Sequence, residues 1–300
     1  MKKTLTSSDS INQQSEVGTC PAPLGTIRLQ GEGHKKLLQG QLTCDINELS
    51  DSLSMYGAWC NPKGRIIASV LVVQDGNDIL LITPIDMLDI TKSLLEKYAP
   101  FYQITVADIS SQTAISLSAK AKAENDTQHM HTIHTNSKLT ISWGVSGRFE
   151  LIIAKETPPA KIDDNDWWAS QISEGVAWIR PETTEQYLPL HINLHRFGGV
   201  SFKKGCYTGQ EVIARMHYKS QLKKRMYRLS APLSVLPANG NELIDSRTDK
   251  MIGTIVCSAK VGQDTVEMLA EVMDESIDHI QLKNYSLVAP SLLSLPYSNK

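Results

Sequence analysis

Short apolar segments separated by polar turns run along most of the chain, and this pattern predicts a mixed α+β protein. Six apolar runs predict strands, at Leu24–Leu29, Ile66–Val73, Ile79–Thr83, Ala114–Leu117, Leu139–Trp143 and Phe149–Ala154. Four apolar residues at helical spacing predict an early helix with one buried stripe, namely Leu37, Leu38, Leu42 and Ile46. Further helices are predicted from Pro84 to about Tyr98 and from Asp163 onward.

The region after Tyr218 has a different pattern, because proline and glycine interrupt its apolar runs at short intervals. These runs are Met226–Leu229, Met251–Ser258, Thr265–Val272 and Gln281–Leu282. Short strands with frequent turns predict a small C-terminal β-barrel.

Other segments lack this periodicity. Residues 1–21 are poor in apolar side chains and are predicted to be disordered. Residues 119–138 are interpreted as a polar loop, and Trp59–Arg65 as a turn. The loop contains three histidines, whose spacing can suggest a metal site, but we find no carboxylate or cysteine framework around them: His129, His131 and His134. His34 is expected to be exposed in the first turn of its helix.

Composition limits the class of protein. A chain of 300 residues with 41% hydrophobic and 21% charged residues is typical of a globular protein of about two domains. The formal net charge of −2 argues against strong, general nucleic-acid binding, although a local basic patch stays possible. Five scattered cysteines are a poor framework for disulfides, zinc or a permanent cluster. With no apolar run of membrane-spanning length, we expect a cytoplasmic protein.

The stretch from Gly198 to Glu211 concentrates the candidate chemistry. Glycines at four of its positions allow a tight turn or a close backbone approach. The motif within it consists of Lys204, Gly205, Cys206, Tyr207, Thr208, Gly209, Gln210 and Glu211. Neighbouring lysines and a helix start near Thr208 favour the thiolate form of Cys206. The alternative is a glycine-rich turn in which this cysteine is a small buried filler.

This motif resembles the signature of the YgfZ family, which is similar to the T-protein (aminomethyltransferase) of the glycine cleavage system. The segments Gly40–Asp45 and Pro189–Asn193 also resemble family segments, so that the resemblance extends from about residue 24 to residue 296. Thr43 and Asp45 are equally explained as helix caps. The resemblance implies a T-protein-like α+β fold with ferredoxin-like halves. It divides the chain into a disordered segment at 1–21, a folate-binding region at 22–220 and a β-barrel at 221–300.

The family resemblance also implies a tetrahydrofolate site. Folate needs an aromatic or apolar slot, a polar partner for the pteridine edge and cations for its glutamate tail. The candidates are Leu24, Trp167, Trp168 and Glu174, with Lys203, Lys204 and Arg215 at the mouth. Leu24 stands where family members tend to carry an aromatic residue, and Ser173 stands where they tend to carry the acidic one.

By the same resemblance, the protein would support assembly, insertion or repair of iron–sulfur clusters in client enzymes. These clients would include a tRNA-methylthiolating enzyme. Cys206 would be the reactive residue, and no permanently bound metal is expected. T-protein uses an aspartate at a place matching Gly64–Val73, where this chain has no carboxylate. A folate-dependent one-carbon transferase and a folate-sensing module without chemistry remain the alternatives.

Overall fold

The computed structural model describes residues 19–119, 130–135, 138–144, 149–157, 164–219, 222–285 and 288–297. The strands are β1 (Thr19–Pro21), β2 (Leu24–Gln30), β3 (Leu53–Cys60), β4 (Ile66–Asp75), β5 (Asp78–Pro84), β6 (Thr105–Asp108), β7 (Ala114–Ala119), β8 (Met130–His134), β9 (Lys138–Trp143), β10 (Phe149–Ala154), β11 (Lys224–Ala231), β12 (Glu242–Asp245), β13 (Met251–Lys260), β14 (Val266–Met273), β15 (Ile280–Leu282) and β16 (Ser291–Leu293). The α-helices are α1 (His34–Gln41), α2 (Leu88–Glu96), α3 (Ala99–Tyr102), α4 (Asn165–Glu174) and α5 (Gln210–Lys219).

Two antiparallel sheets organise these elements. The first has ten strands in the order β1-β7-β10-β9-β8-β3-β4-β5-β2-β6. The second has six strands in the order β15-β12-β13-β14-β11-β16, in the region where the sequence predicted a small β-barrel. The predicted pairing of β9 with β10 is confirmed, with Leu151 opposite Ile141.

The central strands β3, β4 and β5 of the ten-stranded sheet are buried on both faces. Along β4, Leu71 and Val73 join a core shared with α4 and the six-stranded sheet. Val70 and Val72 join a second core beneath α1 and α2. Successive side chains of a strand point to opposite faces, so one apolar strand serves both cores. None of the helices within the described residues is long and apolar enough to cross a membrane.

Several local predictions are corrected by the structure. The predicted loop at 119–138 contains β8, which pairs with β9 and with the start of β3. The predicted turn at Trp59–Arg65 begins later, because Trp59 and Cys60 end β3. Strand pairing with distant segments supplies backbone partners that local composition does not reveal. Residues 19–21 of the segment predicted to be disordered instead form β1, which pairs with β7, and residues 1–18 lie outside the described part.

Two predictions about the first helix also change. Helix α1 ends at Gln41, so Leu42 and Ile46 are buried beyond the helix and not on its stripe. His34 is buried, not exposed, and its Nε2 lies 2.9 Å from the Asn77 carbonyl oxygen. A local periodicity identified the buried positions correctly here, but it did not identify where the helix stops.

Candidate functional site

The signature loop, residues 198–209, carries the predicted motif and enters α5. Gly198 and Gly209 have φ angles of 66° and 84°, in the left-handed region that favours glycine. A Cβ at Gly209 would lie 2.6 Å from the Asn61 carbonyl oxygen, so this end of the loop packs directly against backbone. A Cβ at Gly205 would meet no described atom within 4 Å. The loop is therefore fixed by close backbone packing at Gly209, whereas Gly205 faces open space.

Lys204 anchors the loop to the end of α1. Its buried ammonium donates hydrogen bonds to the carbonyl oxygens of Leu42, at 2.8 Å, and Cys44, at 2.7 Å. Leu42 is the C-cap of α1, where unpaired carbonyls and the helix dipole attract a cation. The Lys204 Nζ also lies 5.0 Å from the centre of the Tyr207 ring. Burial lowers the pKa of Lys204 from its ordinary value.

This arrangement changes the role expected for Lys204. The sequence predicted that its charge favours the thiolate of Cys206, but the ammonium is directed to the two carbonyl oxygens. Because the adjacent Lys203 is exposed, the two lysines have separate environments. Lys204 is a structural tether, and Lys203 is a surface cation.

Cys206 lies at the rim of an open cleft of about 500 Å³. The cleft is lined by residues of the signature loop, the first turns of α5 and the turn after β3: Pro62, Cys206, Tyr207, Thr208, Gly209, Gln210, Glu211 and Ala214. The backbone N–H of Tyr207 donates to Gln210 Oε1 at 3.3 Å, and Thr208 Oγ1 donates to Gln41 Oε1 at 3.1 Å. These bonds hold the backbone that directly follows the accessible thiol.

The other described cysteine side chains have the opposite environment. Cys44, Cys60 and Cys257 are buried, and Cys206 is the exposed one of these four. Burial raises the pKa of both Cys44 and Cys257 to about 12, because it disfavours a thiolate. Burial also raises the pKa of Cys60. Cys206 is thus the accessible nucleophile among them, and the core-filler alternative does not describe it.

Tyr207 faces inward from the same loop. Its ring is buried, and its hydroxyl has no hydrogen-bond partner among the described residues. Burial raises the pKa of Tyr207, and the nearby thiols of Cys60 and Cys44 act in the same direction. The tyrosine therefore serves as an apolar plug beneath the loop, over which the Lys204 ammonium lies.

Helix α4 brings the predicted folate residues into an aromatic core. Trp167 stacks on Trp143 with 6.5 Å between ring centres, and Trp168 is covered by the Arg180 guanidinium at 4.6 Å. Both tryptophans of the predicted pair are buried, whereas the sequence required only one to be core. Trp167 Nε1 has no hydrogen-bond partner in the described part of the chain. We call Tyr56, Trp143, Trp167, Trp168 and Trp178 the tryptophan cluster.

Gln171 organises this cluster, and sequence reasoning missed it. Its Oε1 accepts hydrogen bonds from Trp143 Nε1 at 2.9 Å and from Trp178 Nε1 at 3.1 Å. The side chain is fully buried at 0% exposure, one turn after Trp167. A glutamine within a helix next to two tryptophans is the local signal that could have found it.

Glu174 ends α4 in a confined position. Its carboxylate is buried, and a Cβ at Gly144 would lie 2.8 Å from Glu174 Cγ. The next residue, Gly175, has φ of 67° and accepts a hydrogen bond from the Tyr297 hydroxyl at 2.8 Å. Asn193 Nδ2 donates to that hydroxyl at 3.4 Å. The C-terminal segment thus lies against the end of α4, a contact that no local sequence pattern indicated.

The remaining folate candidates separate into two groups. Leu24 is buried in β2 and belongs to the same core as Trp167 and Trp168. Arg215 is exposed on α5. The structure therefore brings the predicted slot residues together and leaves the predicted cation on another surface.

The predicted caps and the histidine cluster have separate outcomes. Asp45 caps a short turn by accepting from Asn47 N at 3.2 Å, as predicted. Thr43 does not cap a helix; it donates to the Gly199 carbonyl and accepts from Ala58 N at 2.9 Å, which ties the signature loop to β3. The described side chains contain no group of three or more histidines, cysteines or carboxylates able to hold a metal. The His129 and His131 side chains lie outside the described part.

Comparison with known proteins identifies close similarity in sequence and in fold. The tRNA-modifying protein YgfZ of Blochmanniella pennsylvanica is 30% identical over 272 residues, covering 80% of this chain and 82% of that protein. The protein of the same name from Yersinia pseudotuberculosis is 28% identical over 295 residues, covering 91% and 89%. No protein-family model matches the chain.

The fold is that of a solved T-protein. The crystal structure of glycine cleavage system aminomethyltransferase T from Bartonella henselae superposes with a TM-score of 0.68, over 93% of this chain and 86% of that one. The sequence identity between them is 14%, so this similarity describes the fold alone. The sequence similarity to named relatives across four-fifths of both chains establishes more, namely that this chain belongs to the YgfZ family.

Proposed function

We propose that this protein binds a tetrahydrofolate and supports the assembly, insertion or repair of iron–sulfur clusters in client enzymes, including a tRNA-methylthiolating enzyme. Residues 22–220 would form the folate-binding region, and residues 221–300 would form the C-terminal β-barrel. Membership of the YgfZ family supports the proposal, because its curated relatives are named tRNA-modifying proteins. The T-protein-like fold supports the folate part.

The observation that carries the proposal is the accessible thiol of Cys206 on an anchored loop. The loop is held by Lys204 and by Gly209, while the thiol itself faces an open cleft. Such a thiol can exchange with another sulfur or ligate iron transiently on a client. A resident cluster usually needs several thiolates, and the other described cysteines are buried. An iron–sulfur cluster would therefore be cargo of this protein and not its resident cofactor.

The candidate residues of α4 fit a pteridine by their chemistry. A pteridine edge presents both hydrogen-bond donors and acceptors. Trp167 Nε1 is a buried donor with no described partner, and Glu174 supplies a buried carboxylate seven residues later on the same helix. Because neighbouring side chains cover the tryptophan rings, Trp167 would donate a hydrogen bond, with Trp168 and Leu24 as apolar walls. Arg215 is the sequence candidate for the glutamate tail, although it lies exposed on α5 and apart from these residues.

When bound, the folate would supply a one-carbon carrier, and this chain's residues would hold and orient it. The one-carbon transferase alternative gains no support from β4, which carries no carboxylate before Asp75. The folate-sensing module remains the outcome in which Cys206 is dispensable.

The thiol is tested in cells that lack this protein. We expect Cys206→Ser to abolish rescue of methylthio-modified tRNA, measured by mass spectrometry of tRNA nucleosides. The matched control is Cys257→Ala, which removes a buried cysteine and should rescue provided that its melting temperature and protein level are near those of the parent. Full rescue by Cys206→Ser would contradict a role for the thiol.

Folate binding is tested separately by anaerobic calorimetry with tetrahydrofolate. We expect binding by the parent and at least about ten-fold weaker binding by Glu174→Gln, because the substitution removes a charged acceptor. Glu182→Gln, which changes an exposed glutamate, is the control and should bind like the parent. Absence of binding heat and of tryptophan quenching in the parent would contradict the folate part.

A further inference from the structure

Three rings meet where the signature loop adjoins α5, with Phe202 on the loop and His217 and Tyr218 on the helix. Phe202 and His217 stack with 3.7 Å between ring centres and 13° between planes. Tyr218 lies edge-on to both, at 6.1 Å from Phe202 and 4.8 Å from His217. Tyr218 is 66% exposed and His217 is exposed. Contiguous exposed apolar groups rimmed by polar residues commonly mark an interaction site.

Positive charge surrounds these rings. Arg215, Tyr218 and Lys219 lie on one face of α5, at positions i, i+3 and i+4, and both cations are exposed. Lys203 follows Phe202 directly and is also exposed. Residues 202–219 contain one acidic side chain, Glu211, although the whole chain has a net charge of −2. The charge here is therefore a local feature, opposite in sign to that of the whole chain.

His195 lies close enough to His217 and Arg196 for both to affect its pKa. Burial, with smaller contributions from Arg196 and His217, lowers its pKa to about 4. Its Nδ1 has no hydrogen-bond partner among the described residues. Although burial is the main cause of this shift, the nearby Arg196 guanidinium adds positive charge beside the exposed rings.

We propose that Phe202, Lys203, Arg215, His217, Tyr218 and Lys219 form an aromatic–basic surface that binds single-stranded RNA. Bases would stack on the exposed rings of Tyr218 and His217, and phosphates would meet the flanking cations. Exposed rings interleaved with lysine and arginine are the combination by which proteins hold single strands. A duplex hides its base faces, and an acidic peptide offers charge without them.

The aromatic–basic surface lies next to the Cys206 cleft along α5. Helix α5 lines the Cys206 cleft with Gln210, Glu211 and Ala214, and the aromatic–basic surface begins at the following residue. A strand held on Tyr218 would therefore lie on the same helix as the cleft. The inference does not depend on folate binding or on cluster chemistry.

The test is fluorescence anisotropy with a labelled 12-nucleotide oligouridylate. We expect Tyr218→Ala to weaken binding about ten-fold, as for loss of one stacked base, and Tyr218→Phe to retain it because the ring is kept. The double variant Lys203→Ala/Lys219→Ala should reduce the slope of log affinity against log salt by about 1.4, since each single-strand phosphate contact contributes about 0.7. None of these variants changes Arg215, the residue kept as the candidate for the folate tail.

The control changes a comparable surface elsewhere. Phe101 is 81% exposed, and with the exposed Lys36 it borders a cleft between α1 and α3. Phe101→Ala/Lys36→Ala should leave RNA binding unchanged. Equal loss in this control and in Tyr218→Ala would overturn the proposal. Equal affinity for a hairpin duplex would overturn it, and so would tighter binding of a 12-residue polyglutamate peptide, which would make the surface a protein-docking site.

Discussion

The tryptophan cluster and the signature loop both carry predicted functional residues, but the polar groups of the cluster are enclosed and the thiol of the loop is exposed. In the cluster, Gln171 satisfies two indole N–H groups inside a closed aromatic core. In the loop, one buried ammonium holds the backbone, while Cys206 stays exposed. Both regions contain one buried polar atom without a described partner, Trp167 Nε1 and the Tyr207 hydroxyl.

This contrast separates rigidity from accessibility. A fully buried polar bridge fixes the shape of a site but admits a ligand only through rearrangement. A loop tethered at a few points keeps its reactive group available without unfolding. The folate proposal therefore depends on the cluster opening, and the thiol proposal does not. Substitutions at the two kinds of anchor should consequently affect stability and reactivity by different amounts.

The largest effect is expected from Gln171→Ala. This change leaves two buried indole N–H groups without an acceptor and creates a cavity beside them, so we expect a loss of about 4 kcal/mol in the free energy of unfolding. Ser173→Ala on the same helix is the control and should cost within about 0.5 kcal/mol. Urea unfolding followed by tryptophan fluorescence measures both. A loss near that of the control would mean that the cluster is not held by its polar bridge.

Lys204→Ala should have the next largest effect. It removes charged hydrogen bonds to the carbonyl oxygens of Leu42 and Cys44, for an expected loss of about 3 kcal/mol. It should also release the signature loop, seen as faster proteolysis near that loop. Lys203→Ala, at the adjacent exposed lysine, should stay within about 0.5 kcal/mol of the parent. Equal losses for the two variants would show that Lys204 is no more an anchor than its neighbour.

The two lysines also show where sequence reasoning reaches its limit. The motif located the loop, its accessible cysteine and the start of α5 correctly. It could not distinguish Lys203 from Lys204, because the difference is made by carbonyl oxygens about 160 residues earlier in the chain. Side-chain identity was readable from the sequence, whereas long-range hydrogen-bond partners were not.

The fold shows the same limit in its strands. Strands with continuous apolar runs, such as β4 and β5, were predicted because buried strands have that composition. Strand β3 was missed because Gly57 and Ala58 weaken its pattern. A Cβ at Gly57 would lie 2.5 Å from Cys44 Sγ, so a close approach requires glycine there. Strand β3 has a weak local strand preference, and tertiary packing stabilises it.

A moderate, pH-dependent effect is expected from His195, just before the signature loop. Its folded pKa of about 4 lies below the ordinary 6.5 because burial disfavours the charged form. The unfolded chain therefore binds more protons between these values, and stability is lost as pH falls from about 6.5 to 4. The shift corresponds to roughly 3 kcal/mol. In His195→Asn this loss should be absent from urea titrations across the window, whereas an unchanged pH profile would contradict it.

The smallest effect on stability is expected from substitution of Cys206, which should have the largest effect on thiol reactivity. Cys206→Ser should change the free energy of unfolding by less than about 0.5 kcal/mol, since the thiol is exposed. Cys60→Ser places a hydroxyl at a buried apolar position and should cost about 2 kcal/mol. Thermal and urea unfolding of the two variants form a matched pair, because each exchanges one sulfur for oxygen.

Alkylation of the folded protein then separates access from chemistry. Iodoacetamide should label Cys206 within minutes, whereas Cys44, Cys60 and Cys257 should react only at the rate of global unfolding, because burial both blocks the reagent and disfavours their thiolates. Peptide mass spectrometry assigns each site. If Cys206 reacted no faster than Cys60, the loop would be closed in solution and its thiol would belong with the core. If Lys204→Ala left the Cys206 rate unchanged while destabilising the protein, the tether would support the fold alone. A changed rate would instead show that the buried ammonium sets the presentation of the thiol.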